Sequence, residues 1–233
     1  MAGAAAPTEM RFRDVCDMQE KVRSAIYEFD SMCVPPPSAP HCAPRAARSS
    51  TPRQASPPAN SLTPRSVTTT TKLLSFAAAL SIPIHATTQT AAKLGPTVPA
   101  LAALLPATPL DKTKFSMLVP QLAAALPPRS RVALVGIESH ICITQTALDL
   151  RDAGHLPYVL ADAVSSCNRG EVVVALDRLR AEPGIVVTTS ESWMYECLGD
   201  ASHPAFKTLF GVVKGAVADT KKVLQSLPPP SKM

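Results

Sequence analysis

Short apolar runs alternate along the chain with segments whose apolar residues recur every three or four positions. The apolar runs, which predict strands, are 82–88, 131–137, 156–163 and 184–190. Helical spacing is found at 72–82, 141–153, 170–182, 192–199 and 205–217. Strands that alternate with helices over short connections predict an α/β fold, a parallel sheet covered by helices on both faces. In such a sheet a ligand crevice is expected outside the carboxyl ends of the strands.

One stretch interrupts this pattern. Residues 33–66 contain nine prolines and almost no large apolar side chain, so they cannot bury enough surface to offset the entropy cost of ordering. We predict one domain over 11–225 that this disordered, proline-rich insertion interrupts, with a disordered N-terminus at 1–10 and a tail at 226–233. The insertion is either genuine or translated intervening sequence.

The net charge of +5 changes this picture little, because the positive excess lies largely in and around the insertion. Between Asp30 and Asp111 the chain has six lysines and arginines and no acidic residue. No nucleic-acid-binding motif accompanies them, and no apolar stretch approaches the ~18 residues of a membrane span. We therefore expect neither a nucleic acid nor a membrane as partner.

The cysteines and histidines do not form a metal motif. The six cysteines show no CxxC pair, and the five histidines show no zinc spacing. The first residues do not resemble a secretory signal, so reduced thiols in a cytoplasmic protein are expected, with mitochondrial targeting left open. The glycine motifs GxGxxG and GxxxxGK[ST] do not occur, and neither a cofactor nor a metal is predicted.

Cys142 follows the strand at 131–137 and opens the next helix, which Gly154 is expected to close. Backbone N–H groups and the positive dipole end of a first helical turn favour a thiolate and can hold an oxyanion. Cysteine is also among the residues most often buried for packing alone. The position of Cys142 is therefore equally typical of a nucleophile and of a structural residue.

A nucleophilic thiol needs a proton acceptor and often a positive neighbour. Asp17 follows a short predicted first strand, and Lys112 or Lys114 follows another. Each alone is typical of a solvated surface charge. Together with Cys142, at matching strand ends, they form a candidate Asp–Lys–Cys site.

Four segments resemble one known family: CDMQEK (16–21), DKTKFSM (111–117), LVGIESHICITQTALDL (134–150) and VLADAVSSCN (159–168). They are similar to the isochorismatase-like cysteine hydrolases, particularly to fungal members among the eukaryotic isochorismatase domain-containing proteins. The resemblance covers about 11–32 and 67–225. It implies a three-layer α/β/α sandwich with a mostly parallel six-stranded sheet.

The resemblance also implies roles for individual residues. Asp17 becomes the general base, Cys142 the nucleophile, and Lys112 the group that stabilises the thiolate and the charged intermediate. The backbone N–H groups of Glu138 and Cys142 become the oxyanion hole, with a cis peptide bond between Ile137 and Glu138. Family members cleave C–N bonds of small amides by this route.

The sequence departs from one branch of this family. Nicotinamidases bind a metal through an aspartate and histidines after the second strand, where this chain has His85 inside the strand and no Asp–x–His. No metal site is therefore expected. Gln89 either lines the pocket or is a surface residue, and His140 either contacts the substrate or caps the turn. Asp162 is expected to brace loops.

The leading hypothesis is a metal-independent cysteine hydrolase that acts on a small amide-like substrate through a covalent thioester. The alternative is a catalytically inactive binding module of the same fold, because Arg13 and Asp14 interrupt the predicted first strand. The sequence does not specify the small-molecule substrate, and it leaves self-association open.

Overall fold

The computed structural model describes residues 15–16 and 65–227. Within these residues the strands are β1 (Val15–Cys16), β2 (Thr87–Gln89), β3 (Leu110–Lys112), β4 (Arg131–Ile137), β5 (Leu156–Ser165) and β6 (Val186–Thr188). The helices are α1 (Arg65–Ala79), α2 (Ala91–Leu94), α3 (Pro99–Ala102), α4 (Pro120–Ala125), α5 (Thr144–Asp152), α6 (Arg169–Ala181), α7 (Ser190–Leu198), α8 (Phe206–Gly215) and α9 (Val217–Ser226). A π-helical turn, Ser139–Ile143, joins β4 to α5. None of the described helices has the length and apolar character needed to cross a membrane.

The strands form two parallel sheets, one in the order β1-β4-β5-β6 and the other made of β2 and β3. β1, only two residues long, contacts β2 without pairing with it in the described part of the chain. The parallel α/β fold is thus confirmed, whereas the single six-stranded sheet is not.

The pairing of β4 with β5 contains one irregularity. Leu134 pairs with Val159, whereas Gly136 pairs with Val164, so β5 advances five residues while β4 advances two. Beyond this bulge Ile137 pairs with Ser165. The residues that follow these two strands are therefore neighbours.

The sequence of β4 explains why helices cover both faces of its sheet. Successive side chains of a strand point to opposite faces, and nearly all of β4 is apolar and buried. Ala133, Val135 and Ile137 pack with α1, α7 and α8. Between these helices Phe76 and Trp193 pack edge to face, with their ring centroids 5.9 Å apart. The intervening side chains pack with α4, α5 and α6.

Several predicted boundaries shift. Arg65 and Ser66, assigned above to the insertion, belong to α1. The strand predicted at 82–88 is found at 87–89, after Pro83, which has no N–H for a sheet. The helix predicted at 205–217 is found at 206–215, and a further helix that was not predicted begins at Val217, after Ala216. The N-terminus at 1–10, residues 33–64 of the insertion, and tail residues 228–233 lie outside the described residues.

Candidate active site

The carboxyl ends of β2 and β3 bring Gln89 and Lys112 together. The two residues are paired in the sheet register, and Lys112 Nζ donates to Gln89 Oε1 at 2.7 Å. The same Nζ donates to the Phe115 carbonyl at 3.1 Å, in the loop that follows β3. Lys112 is only 5% exposed, so this ammonium group depends on these acceptors rather than on bulk water.

Asp111, the neighbour of Lys112 on β3, performs a structural task that the sequence analysis did not assign. Its Oδ1 accepts hydrogen bonds from Thr88 Oγ1 at 2.9 Å and from the backbone N–H of Ala91 at 2.8 Å. These two hydrogen bonds lower the pKa of Asp111, so the carboxylate stays charged and ties β3 to the start of α2.

Lys114, the other lysine considered above, lies differently from Lys112. Its side chain is 53% exposed, and its Nζ donates to Asp149 Oδ2 on α5 at 2.6 Å. Lys114 is therefore engaged in a surface ion pair, whereas Lys112 is buried beside Gln89.

The carboxyl end of β4 has the backbone conformation that the resemblance implied. The peptide bond between Ile137 and Glu138 is cis. The Glu138 carbonyl then accepts hydrogen bonds from the backbone N–H groups of Ile141 and Ile143, which closes the π-helical turn. Cys142 is the fourth residue of that turn.

Cys142 is buried, with 6% exposure, in the apolar cluster on the α5 side of the sheet. A polar link connects its turn to the loop that follows β3. Thr146 Oγ1 donates to the Cys142 carbonyl at 2.6 Å and accepts from the Met117 N–H at 2.9 Å. The segment that begins at Lys112 is therefore packed against the turn that carries Cys142.

Beside Cys142, three side chains form a polar cluster: Glu138, His140 and Cys167. His140 Nδ1 lies 3.6 Å from Glu138 Oε2, and the same oxygen accepts from the backbone N–H of Cys167 at 3.0 Å. The potential ligand atoms of the three residues all lie within 4.8 Å of one another. His140 was predicted as a site residue and Cys167 was not, because only the pairing of β4 with β5 makes them neighbours.

The thiol of Cys167 is held in its neutral form. Burial raises its pKa, and the hydrogen bond to Glu138 and the negative charge of that carboxylate raise it further.

Asp17, the predicted general base, lies outside the described residues. β1 ends at Cys16, the residue before it, and Cys16 pairs with Gly136, two residues before Glu138. The role of Asp17 therefore stays a prediction that rests on its place in the sequence after β1.

Asp162 braces the fold, as expected. It is 1% exposed, and its two oxygens accept hydrogen bonds from the backbone N–H and the hydroxyl of Ser190, the first residue of α7. Both oxygens are thus used to join β5 to a helix.

Comparison with known proteins identifies the family. The isochorismatase domain model matches residues 15–192. Isochorismatase domain-containing protein 2 of Bos taurus is 41% identical over 150 residues, which cover 64% of this chain and 73% of that protein. The chain belongs to the isochorismatase family. The protein of the same name from Xenopus laevis is 34% identical over 208 residues, covering 88% and 84%. These relatives are animal proteins, so the family is confirmed but the fungal emphasis is not.

Solved structures support the same family fold. The chain is 31% identical to the structure described as MAR1 ribonuclease from Caenorhabditis elegans, with a TM-score of 0.70 and coverage of 99% of this chain and 97% of that one. The Escherichia coli YcaC product, described as an octameric hydrolase of unknown specificity, is 16% identical, with a TM-score of 0.67 and coverage of 94% and 93%. The second likeness shows the fold alone.

Proposed function

We propose that this isochorismatase-family protein hydrolyses a small amide-like substrate with Cys142 as nucleophile and without a metal in the chemical step. The supporting observation is the packing of the loop that follows Lys112 against the turn of Cys142, through Met117 and Thr146. Parallel strands whose carboxyl ends carry Gln89, Lys112 and the Cys142 turn are the expected frame for such a crevice.

In the proposed reaction, the Cys142 thiolate attacks the amide carbon and forms a tetrahedral intermediate. The backbone N–H groups of Glu138 and Cys142 hold its oxyanion, and the Lys112 ammonium lowers the energy of the negative charge. Asp17 takes the thiol proton and passes it to the leaving nitrogen, which departs as ammonia or an amine. Water, deprotonated by Asp17, then cleaves the thioester and restores the thiol.

Within this proposal Gln89 and His140 line the substrate pocket. Gln89 Oε1 accepts from Lys112 and Gln89 Nε2 donates to the Thr113 carbonyl at 2.8 Å, so its amide is oriented toward the loop that follows β3. His140 is 25% exposed, and its Nδ1 lies 3.0 Å from Ser166 Oγ. An imidazole that is partly exposed and partly anchored suits contact with a polar substrate group.

The decisive experiment is a screen of small primary amides and ureas for ammonia release, with the wild-type protein, Cys142→Ala and Cys197→Ala compared. We expect Cys142→Ala to lose at least about a thousandfold in turnover, as removal of a nucleophile does. Cys197→Ala, a cysteine substitution on α7, should keep its activity. Amide hydrolysis by Cys142→Ala at the wild-type rate would refute the proposal.

The two lysines of the loop give a second test with a matched control. Lys112→Met should reduce turnover by about a hundredfold or more, because it removes a buried positive charge from the site. Lys114→Met should keep turnover within about threefold, since a surface ion pair contributes little. Equal losses in both variants would contradict the assignment of Lys112.

The burial of Cys142 in an apolar cluster favours one competing function, a binding module that does not catalyse. The screen separates the two functions when it also includes single-stranded RNA, because the Caenorhabditis elegans relative is described as a ribonuclease. Failure to cleave any substrate supports the module. Cleavage of RNA alone, lost in Cys142→Ala, would replace the amide by a phosphodiester.

A further inference from the structure

The cluster of Glu138, His140 and Cys167 has the composition of a transition-metal site. A carboxylate oxygen, an imidazole nitrogen and a sulfur are the three ligand types that bind Zn²⁺ in proteins. Their potential ligand atoms lie within 4.8 Å of one another. We propose that these three side chains bind one thiophilic divalent cation, such as Zn²⁺.

The spacing of the ligand atoms fits a four-coordinate ion. Metal bonds of about 2.0–2.3 Å in a tetrahedron place the ligand atoms roughly 3.3–3.8 Å apart. His140 Nδ1 and Glu138 Oε2 are already 3.6 Å apart. The sulfur of Cys167 lies within 4.8 Å of both atoms, so it has to approach each by about 1.5 Å at most to complete the set, with a water molecule as fourth ligand.

The backbone fixes where the three ligands stand. Glu138 and His140 follow β4, Cys167 follows β5, and the strands pair as far as Ile137 and Ser165. The Glu138 carboxylate is already directed at Cys167, because its Oε2 accepts the Cys167 N–H at 3.0 Å. The register between β4 and β5 therefore brings the three ligands together, and no short sequence motif indicates the site.

The present hydrogen bonds of the cluster are compatible with an ion. His140 Nδ1 lies 3.0 Å from Ser166 Oγ, which also accepts from the Ser139 N–H at 3.0 Å. Because that N–H occupies an acceptor position of Ser166, the hydroxyl hydrogen is free to point at Nδ1. A cation takes over the Nδ1 lone pair and leaves Ser166 anchored by Ser139. The sulfur of Cys167 hydrogen-bonds to Glu138 and lies 3.6 Å from Asn168 Nδ2, and a cation would replace the proton of the thiol.

Solvent can reach the cluster, and its side chains carry negative charge when they bind a cation. The side chains of His140 and Glu138 are 25% and 20% exposed, and Cys167 is half-buried, so an ion can enter from solvent. Glu138 and a thiolate of Cys167 together balance the two positive charges of the cation. Glu138 and His140 also belong to the proposed amide site, through a backbone N–H and as a pocket residue, so the cation is tested by its own spectrum and not by amide turnover.

Cobalt provides a direct test, because a thiolate bound to Co²⁺ gives a charge-transfer band and a tetrahedral ion gives intense visible bands. Titration of the reduced, metal-free full chain with Co²⁺ should give both, with one ion per chain by native mass spectrometry. Zn²⁺ should abolish the spectrum, and competition between the two ions gives the affinity.

Three cysteine variants identify the sulfur. Cys167→Ser should lose the charge-transfer band, whereas Cys142→Ser and Cys197→Ser should keep it. His140→Gln and Glu138→Gln should each weaken Co²⁺ binding by at least about tenfold, because each removes one of three protein ligands. No charge-transfer band in the wild-type chain, or a band that survives in Cys167→Ser, would overturn the proposal. So would a band lost only in Cys142→Ser.

Discussion

Two junctions between a strand and a helix, one after β6 and one after β4, use their polar groups in opposite ways. At the start of α7, both carboxylate oxygens of Asp162 accept hydrogen bonds from Ser190, and both residues are almost fully buried. At the end of β4, Glu138 and His140 keep 20% and 25% of their side-chain surface exposed. We call the first the closed junction and the second the open junction.

The difference indicates which side chains of this fold remain available to bind a ligand. A buried carboxylate whose oxygens are both occupied stabilises the structure and has no capacity left for a ligand. Side chains that are anchored on one side and exposed on the other can exchange partners. The open junction therefore carries both proposals made above, and the closed junction carries neither.

The largest expected effect is on stability at the closed junction. Asp162→Ala leaves the N–H and hydroxyl of Ser190 buried without their acceptor, and we expect the free energy of unfolding to fall by about 3 kcal/mol. Urea denaturation measures it. Glu138→Ala is the matched variant at the open junction, where water can replace the carboxylate, and it should cost less than about 1 kcal/mol. Similar losses of stability in the two variants would contradict the distinction between the junctions.

The next effect concerns thiol reactivity. Burial raises the pKa of Cys197, on α7, to about 12. Because 12 lies far above neutral pH, its alkylation rate should rise about tenfold per pH unit between pH 8 and 10. At pH 8 we expect Cys197 to react at least tenfold more slowly than Cys142, as measured by residue-resolved mass spectrometry. Faster labelling of Cys197 than of Cys142 would remove the support for a reactive thiolate at the open junction.

The smallest effect is a pH dependence of stability linked to the closed junction. Burial lowers the pKa of Lys72, and the charges of Asp162 and Glu191 oppose this shift. Lys72 Nζ also donates to Thr220 Oγ1 at 3.2 Å. The folded-state pKa is below the unfolded value, so the unfolded chain binds more protons, and stability rises with pH up to the unfolded pKa.

Lys72→Met should abolish that dependence between about pH 7 and 10. The measurement is urea denaturation at several pH values in parallel with the wild type. If the wild type instead lost stability relative to Lys72→Met as the pH rises, the predicted sign would be wrong.

The parts of the fold that could be predicted from sequence are those in which one physical signal dominates. β4 was predicted to the residue, at 131–137, because a strand covered on both faces is apolar nearly throughout. The bracing role of Asp162 was also anticipated, since a carboxylate within a buried strand must find donors. The helix closed by Gly154 ends as expected, with that residue at φ +82°.

The parts that could not be predicted depend on pairing between distant segments. Cys167 meets Glu138 only because β4 and β5 pair in a particular register, which the apolar pattern of either strand does not specify. Likewise, Asp111 and Lys112 are adjacent in sequence, yet one ties down α2 and the other contacts Gln89. The sequence alone singled out Lys112 as a candidate and gave Asp111 no role.

The bulge in the pairing of β4 with β5 has a consequence for how such folds can diversify. With the register of Leu134 and Val159 continued, Ile137 would face Asp162, and the residues after β5 would lie further from Glu138. The extra length taken up by β5 instead keeps Cys167 close to Glu138 and leaves Asp162 further back, where it anchors a helix. A change of a few residues inside one strand could thus exchange the groups presented to a ligand while every layer of the sandwich stays in place.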